Sequence, residues 1–439
     1  MIFMLRSLID AEAGSIEMFR LLLMAMTLLS ASGGAFARPH PAHPGRTQRA
    51  QAHAPSEGGA LGAAVRDLCG RDIALLGEAD HGDGRTVAFK AALVRMLVTR
   101  CGYNAVFFEA NHYDFLEFAD RLRSGQAVSP DLIASAVGGL WRFDREFQPL
   151  LPFLFDRARA GRLVLGGLDD QVGSLGSFYG NDEMPSALAA NLADSRNALC
   201  RRLLDRRTHG ADGTHAEPER SETLRCLAAI AEAVRGRRDA DRATRAAQLS
   251  MIASLQRLIT RDRWATPGDM TRYSEERDRS MYLNFLSLVS QLPPHRRIIV
   301  WAANAHIARD ATPSGQYADT PNMGAFVREA YGGRAFSLGF TALGGTHYWT
   351  PREPSRPIAP AAAGSLEALA LARSRADAVY LDRERLAALG EVPGSLFQHR
   401  PASARWSRVV DAVVVFRAEE PAQHEGDPRS AGASAIPSP

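Results

Sequence analysis

The stretch Ile73-Ala-Leu-Leu76-Gly77-Glu-Ala-Asp-His81-Gly82 decides how this chain is read. Four apolar residues without helical periodicity suit a strand buried on both faces. The polar residues that follow place two carboxylates and an imidazole at its carboxyl end. The same pattern recurs three times: Ala105-Val-Phe-Phe108 runs into Glu109-Ala-Asn-His112, Leu163-Val-Leu165 into Gly167-Leu-Asp-Asp170, and Ile298-Ile-Val-Trp301 into Ala303-Asn-Ala-His306. Two further apolar runs are Ala335–Gly339 and Ala412–Phe416. Helical patterns at Thr86–Thr99, Asp114–Leu122, Asp144–Arg159 and Tyr273–Gln291 alternate with the runs. This alternation predicts an α/β fold with a largely parallel central sheet flanked by helices. Between the third and fourth runs, residues 185–262 read as almost purely helical, an inserted helical lobe broken by a loop at 207–217. No internal repeat is present.

Working outward, the chain has 439 residues, 46% of them apolar and 23% charged, with a net charge of +3. That balance excludes collagen-like, disordered and multi-span membrane classes and gives no electrostatic case for nucleic acid. Residues 1–37 read as an export signal. Met18-Phe-Arg20 is a short positive start, Leu21–Leu29 an apolar run, and Ala35-Phe-Ala37 a small-x-small site with cleavage expected after Ala37. The apolar run falls well short of the roughly 20 residues that span a bilayer, so a periplasmic or secreted location without a membrane span is expected. Residues 38–58, with His40, His43 and His53 among prolines, read as a flexible leader. Residues 59–418 form the folded unit, and 419–439, rich in Pro, Ala, Ser and charge, are expected to be disordered. Nothing in the sequence sets an oligomeric state.

Export into an oxidising compartment makes disulfides of the four cysteines plausible. Cys69 and Cys101 each stand four residues before an apolar run, so pairing is expected if those two strands lie side by side; Cys200 and Cys226 then link two helices. Four buried thiols are the alternative. No C-x-x-C is present, so a zinc or thioredoxin-type site has no support.

Ligands of open α/β sheets bind beyond the carboxyl ends of the strands. Glu78, His81, Glu109, Asp169 and His306 would meet there, and burying so many ionisable groups is costly unless they pair or are used. A histidine is suited to take a proton from water near neutral pH, and a carboxylate on its second nitrogen fixes the tautomer. Glu78 or Glu109 would fill that role. With no G-x-S-x-G elbow, attack by activated water fits better than a seryl intermediate.

Gly77-Glu-Ala-Asp-His81-Gly followed by Val106-Phe-Phe-Glu109 resembles the opening signature of the erythromycin esterase family, G-E-x-[TS]-H-G with a Glu closing the next strand. Gly167-Leu-Asp169, Arg277-Asp278 with Met281 (R-D-x-x-M), Trp301-Ala-Ala-Asn304-Ala-His306 (W-A-H-N-x-H), Met323-Gly324, Gly364-Ser-Leu-Glu367 and Val410-Asp-Ala-Val413 follow in the family's order. The resemblance implies a cofactor-free hydrolase of a small-molecule ester or lactone. It makes His81 the general base, Glu78 and Glu109 the groups that orient and polarise the site, and His306 a catalytic histidine. Asp80, Asp169 and Asn304 become substrate-side residues. It also implies a basic residue nine positions after the histidine, which is Lys90, placed to stabilise an oxyanion. Lys90 is the only lysine among 52 basic residues.

Two positions depart from the family pattern. Asp80 replaces the usual Thr or Ser, adding negative charge that would raise the pKa of His81 or hold a metal. Ala303 replaces the first histidine of H-N-x-H. Two alternatives therefore stay open: a metal-dependent hydrolase using Glu78, Asp80, His81, Glu109 and His306, and a binding protein that has lost the chemistry.

Overall fold

Alternation along each strand sends successive residues into two separate cores. Ile73, Leu75, Phe107, Ile298 and Val300 enter one, whereas Ala74, Leu76, Phe108, Ile299 and Trp301 enter the other. Both faces of each strand are therefore apolar, which is why the strands read as continuous apolar runs. The computed structural model describes residues 59–172, 177–209, 217–318, 320–348 and 354–424. The signal and leader expected at 1–58 lie outside these residues, as do 210–216 of the lobe's loop.

The strands are β1 (Ile73–Leu76), β2 (Ala105–Asn111), β3 (Val164–Asp169), β4 (Ile298–Trp301), β5 (Ala335–Ala342), β6 (Gly345–His347), β7 (Arg356–Ile358), β8 (Ala378–Leu381), β9 (Val392–Phe397), β10 (Arg400–Ala404) and β11 (Ala412–Phe416). Seven form one sheet in the order β3-β2-β4-β1-β5-β11-β8. All its neighbours are parallel except β8, which pairs antiparallel with β11. The fold is α/β, as the sequence predicts. β3, β2, β4 and β1, the four runs with polar endings, are consecutive in the sheet.

Helices Gly59–Cys69, Gly84–Arg100, Pro130–Val137 and Leu150–Arg159 cover the face that carries Leu76, Phe108 and Trp301. The inserted helices Met184–Ala189, Asp194–His209, Glu217–Gly236 and Arg242–Arg261, with the return helix Met270–Ser290, share one continuous core with the face that carries Leu75, Phe107 and Val300. Asn111 at the end of β2 turns the chain directly into helix His112–Arg123, because its side-chain oxygen accepts from the backbone N–H groups of Tyr113 and Asp114.

The disulfides are Cys69–Cys101 and Cys200–Cys226. The reason offered for the first pairing needs correction: β4 lies between β1 and β2. Cys69 instead ends one helix and Cys101 caps the neighbouring one. The tail also needs correction over its first residues. Glu419 and His424 are buried, Glu420 O accepts from Gly84 N at 2.8 Å, and Ala422 N donates to Gly82 O at 3.0 Å. Composition alone could not reveal these long-range partners. Residues 425–439 lie outside the described residues. β8, an apolar run of four at Ala378–Leu381, and the short pairs β6–β7 and β9–β10 were not found in the sequence reading.

Candidate active site

Gly77 and Gly82 bracket the loop that leaves β1, and both are there for close approach. A Cβ on Gly77 would stand 2.0 Å from Asn304 Oδ1, and one on Gly82 2.1 Å from Tyr348 O. Within that loop, Glu78 is fully buried and holds two partners. One oxygen is 2.7 Å from His81 Nδ1, and the other accepts from Lys90 Nζ at 2.7 Å. A carboxylate at Nδ1 favours the tautomer with its proton on Nδ1, leaving Nε2 as the basic nitrogen. The His81 side chain keeps 12% of its surface exposed and meets Trp141 edge-on.

Lys90 does not stand where an oxyanion would reach it. It lies on the buried stripe of helix Gly84–Arg100 with Val87, Val94 and Leu97, fully enclosed, and its ammonium sits 4.2 Å from the centre of the Trp301 ring. Burial lowers its pKa despite the nearby Glu78 and Glu109. Its position assigns it to fixing Glu78, a correction to the oxyanion role.

A second cluster adjoins the first at the ends of β2, β3 and β4. Glu109 takes a bond at 3.0 Å from Arg277 and one at 2.8 Å from the Ala303 N–H, and lies 3.0 Å from His306 Nε2. Arg277 also donates to Asp169 at 2.6 Å, and His306 Nδ1 lies 2.7 Å from Asp278. Burial alone would lower the pKa of His306, but Asp278 and Glu109 on its two nitrogens outweigh it and raise it to about 10. His306 is thus favoured as a cation near neutral pH, with Asp278 on Nδ1 and Glu109 and Arg277 beside Nε2. Burial would raise the Glu109 pKa, yet His306, His81 and Arg277 hold it well below the usual carboxylate range.

His81 responds to both clusters. Burial lowers its pKa, but the Glu78 hydrogen bond and the charges of Glu109, Glu78 and Asp80 turn the net shift upward. Formal charge gives the reason. Five carboxylates (Glu78, Asp80, Glu109, Asp169, Asp278) face three cations (Lys90, Arg277, His306), so negative charge is in excess around His81. The arrangement favours proton uptake at His81.

The remaining expected residues fall elsewhere. Asn304 spends its amide on the backbone, donating to Phe340 O at 2.8 Å and Leu396 O at 2.6 Å and accepting from Phe340 N at 3.2 Å. It anchors the β4 loop to β5 and β9, which corrects the substrate-side assignment. Asp80 accepts from the His81 N–H at 3.0 Å and faces His347 at 2.9 Å. Asp169 is held by Arg277. His81 Nδ1, the nitrogens of His306 and the oxygens of Glu78 and Glu109 are thus taken up within the two clusters, whereas no such contact engages His81 Nε2 among the described residues. Arg277 and Asp278 were visible in the sequence as a motif without a role; Trp141 and Tyr317, whose hydroxyl lies 3.4 Å from His306 Nδ1, gave no signal there. His112, at the second strand end, is structural: it bonds Gly167 O and Ser250 Oγ, and burial lowers its pKa to about 4.

The erythromycin esterase family matches residues 98–418. The chain belongs to this family. The match begins after the β1 loop, so Glu109, Asp169, Arg277, Asp278 and His306 lie inside it and Glu78, His81 and Lys90 before it. Among curated proteins, the Bacillus subtilis (strain 168) protein YbfO, named as a candidate hydrolase, is 23% identical over 337 residues, covering 72% of this chain and 75% of its own. Among solved structures, a Bacillus cereus protein has a TM-score of 0.63 at 16% identity, covering 82% of this chain and 91% of its own. A mutant of the erythromycin esterase EreC in its open conformation has a TM-score of 0.59 at 17% identity, with 81% and 93% covered. Family membership and the name of the relative support a hydrolase acting on a small molecule.

Proposed function

We propose that the chain is an exported hydrolase that opens a carboxylic ester or lactone with water, using His81 as general base. The observation that carries this reading is the Glu78 carboxylate bound between His81 Nδ1 and Lys90 Nζ, both at 2.7 Å. Water bound at Nε2 attacks the carbonyl carbon and gives its proton to His81, and the imidazolium so formed is stabilised by Glu78. The carbonyl π bond becomes an oxyanion beside Arg277, 21% exposed, and the His306 cation. Collapse of the tetrahedral species expels the alkoxide, which takes the proton from His81. The products are an acid and an alcohol, joined in one molecule when the substrate is a lactone. A cysteine nucleophile has no candidate, because all four cysteines are in disulfides.

Export rests on the signal pattern of residues 1–37 and suits the two disulfides. No helix of the described residues is long and apolar enough to cross a membrane. The test is a panel of carboxylic esters and lactones assayed with the mature protein. Turnover of at least one is expected, and failure on every class sinks the reading.

Ala303 supports one competing reading, a chain that binds the same class of molecule without turning it over. Its N–H serves Glu109, and its methyl group stands where the resembling family has an imidazole. Esterase activity that appears only in Ala303→His would favour this second reading.

A further inference from the structure

We propose that Asp83, His347 and His399 form a binding site for one divalent transition-metal ion of the zinc class. They come from three separate segments: the loop before helix Gly84–Arg100, the end of β6, and the two-residue turn between β9 and β10. One ligand atom from each lies within 4.8 Å of the other two. Two imidazoles and a carboxylate are borderline donors that suit zinc and its neighbours; magnesium and calcium prefer oxygen alone.

The spacing suits such an ion. Zinc bonds of about 2.0–2.1 Å at tetrahedral angles place adjacent donors roughly 3.3 Å apart. His399 Nε2 already lies 2.9 and 3.1 Å from the two Asp83 oxygens, so only the wider pairs must close. The His347 and His399 rings are 4.7 Å apart, centre to centre. Asp80 Oδ2 lies 2.9 Å from His347 Nδ1 and adds a carboxylate beside the cluster.

Charge points the same way. Asp80, Asp83 and Glu419 are buried together, and Glu419 acts electrostatically on Asp83. Their partners are imidazoles, a threonine hydroxyl and backbone N–H groups, and among the described residues no lysine or arginine side chain pairs with any of them. Asp80, Asp83 and Glu419 crowd carboxylates beside His347 and His399, and a divalent ion bound there adds positive charge. Gln398 and His399 also both adopt left-handed backbone, with φ of 52° and 53°, where turns of this kind favour Asn-Gly. Gln398 N donates to Ala79 O at 3.0 Å, pinning this turn to the β1 loop. Backbone strain of this sort persists where surrounding structure enforces it.

The inference depends neither on His81 nor on any substrate, and its readout is metal alone. Full-length protein purified without affinity metals or chelators is analysed for metal content, then stripped and titrated with Zn(II) and Co(II). The expected result is one ion per chain and a Co(II) visible spectrum of four- or five-coordinate intensity. His399→Gln and His347→Gln should each weaken binding by about 100-fold or more. Three outcomes overturn the proposal: no stoichiometric binding, a Co(II) spectrum no stronger than that of the aqueous ion, or binding unchanged in the histidine variants but lost when His40, His43 and His53 become Ala. Should the variants fail to fold, the wild-type Co(II) spectrum decides alone.

Discussion

Replacing Lys90 by Met removes a cation from a fully enclosed carboxylate while keeping most of the side chain's length. Glu78 and Lys90 are both fully buried. Breaking such a pair from one side typically costs about 3–5 kcal/mol, because the surviving charge is left in a medium that solvates it poorly. His81 offers Glu78 some compensation, which places the expected loss toward the lower end. With roughly 360 ordered residues and an unfolding entropy of about 2.1 cal/mol/K per residue, a loss of 3–5 kcal/mol lowers Tm by about 4–7 °C. Calorimetric melts of the two proteins at neutral pH measure it. The double variant Lys90→Met with Glu78→Gln carries no buried charge at either position and should recover part of the loss, a positive coupling between contacting sites. A Tm for Lys90→Met within 1 °C of the parent, or a double variant showing only the sum of its single losses, would refute the reasoning. Lys90→Arg tests the fit: the larger guanidinium must enter a slot against Trp301, so this variant should also melt lower although charge is kept.

Three further outcomes follow from the same geometry. The His81 pKa is raised above its ordinary 6.5, so the acidic limb of kcat/KM should lie above pH 6.5, with activity rising as the imidazole loses its proton; in Glu78→Gln that limb should move to lower pH. A limb that stays put would separate Glu78 from the base. His306, raised from 6.5 to about 10, contributes stability that is fully present below pH 6.5 and lost as pH rises toward 10. Urea midpoints should therefore fall by the equivalent of a few kcal/mol over that range in the parent, and His306→Asn should flatten the slope. Arg277→Met should lower kcat by about 10²–10³ if its charge meets an oxyanion, and a change in KM alone would assign it to substrate binding.

Much of the fold was legible because parallel strands buried on both faces leave short apolar runs. Strand neighbours were less so. β4 threads between β1 and β2, and no local pattern encodes that order, so a correct disulfide rested on an incorrect adjacency. At the site, Glu78, His81, Glu109, Asp169 and His306 were visible as polar endings of apolar runs. The burial of Lys90 was readable too, since Val87, Lys90, Val94 and Leu97 recur at helical spacing, and the family's pattern drew attention away from that stripe. What periodicity cannot show is pairing between distant segments. Arg277 reaches Asp169 and Glu109 from a long helix, and His347, His399 and Glu419 reach the β1 loop and the start of the helix after it from segments near the end of the chain.

The claim on which the rest depends is that His81 takes the proton from the attacking water. The direct measurement is kcat/KM for His81→Ala on whichever ester or lactone the parent turns over, with a melting curve beside it. The His81 side chain is partly exposed, and its removal leaves the Glu78–Lys90 pair in place. A loss of about 10²–10⁴ in kcat/KM with Tm nearly unchanged is the predicted result. Turnover equal to the parent's in a folded His81→Ala protein would contradict the account.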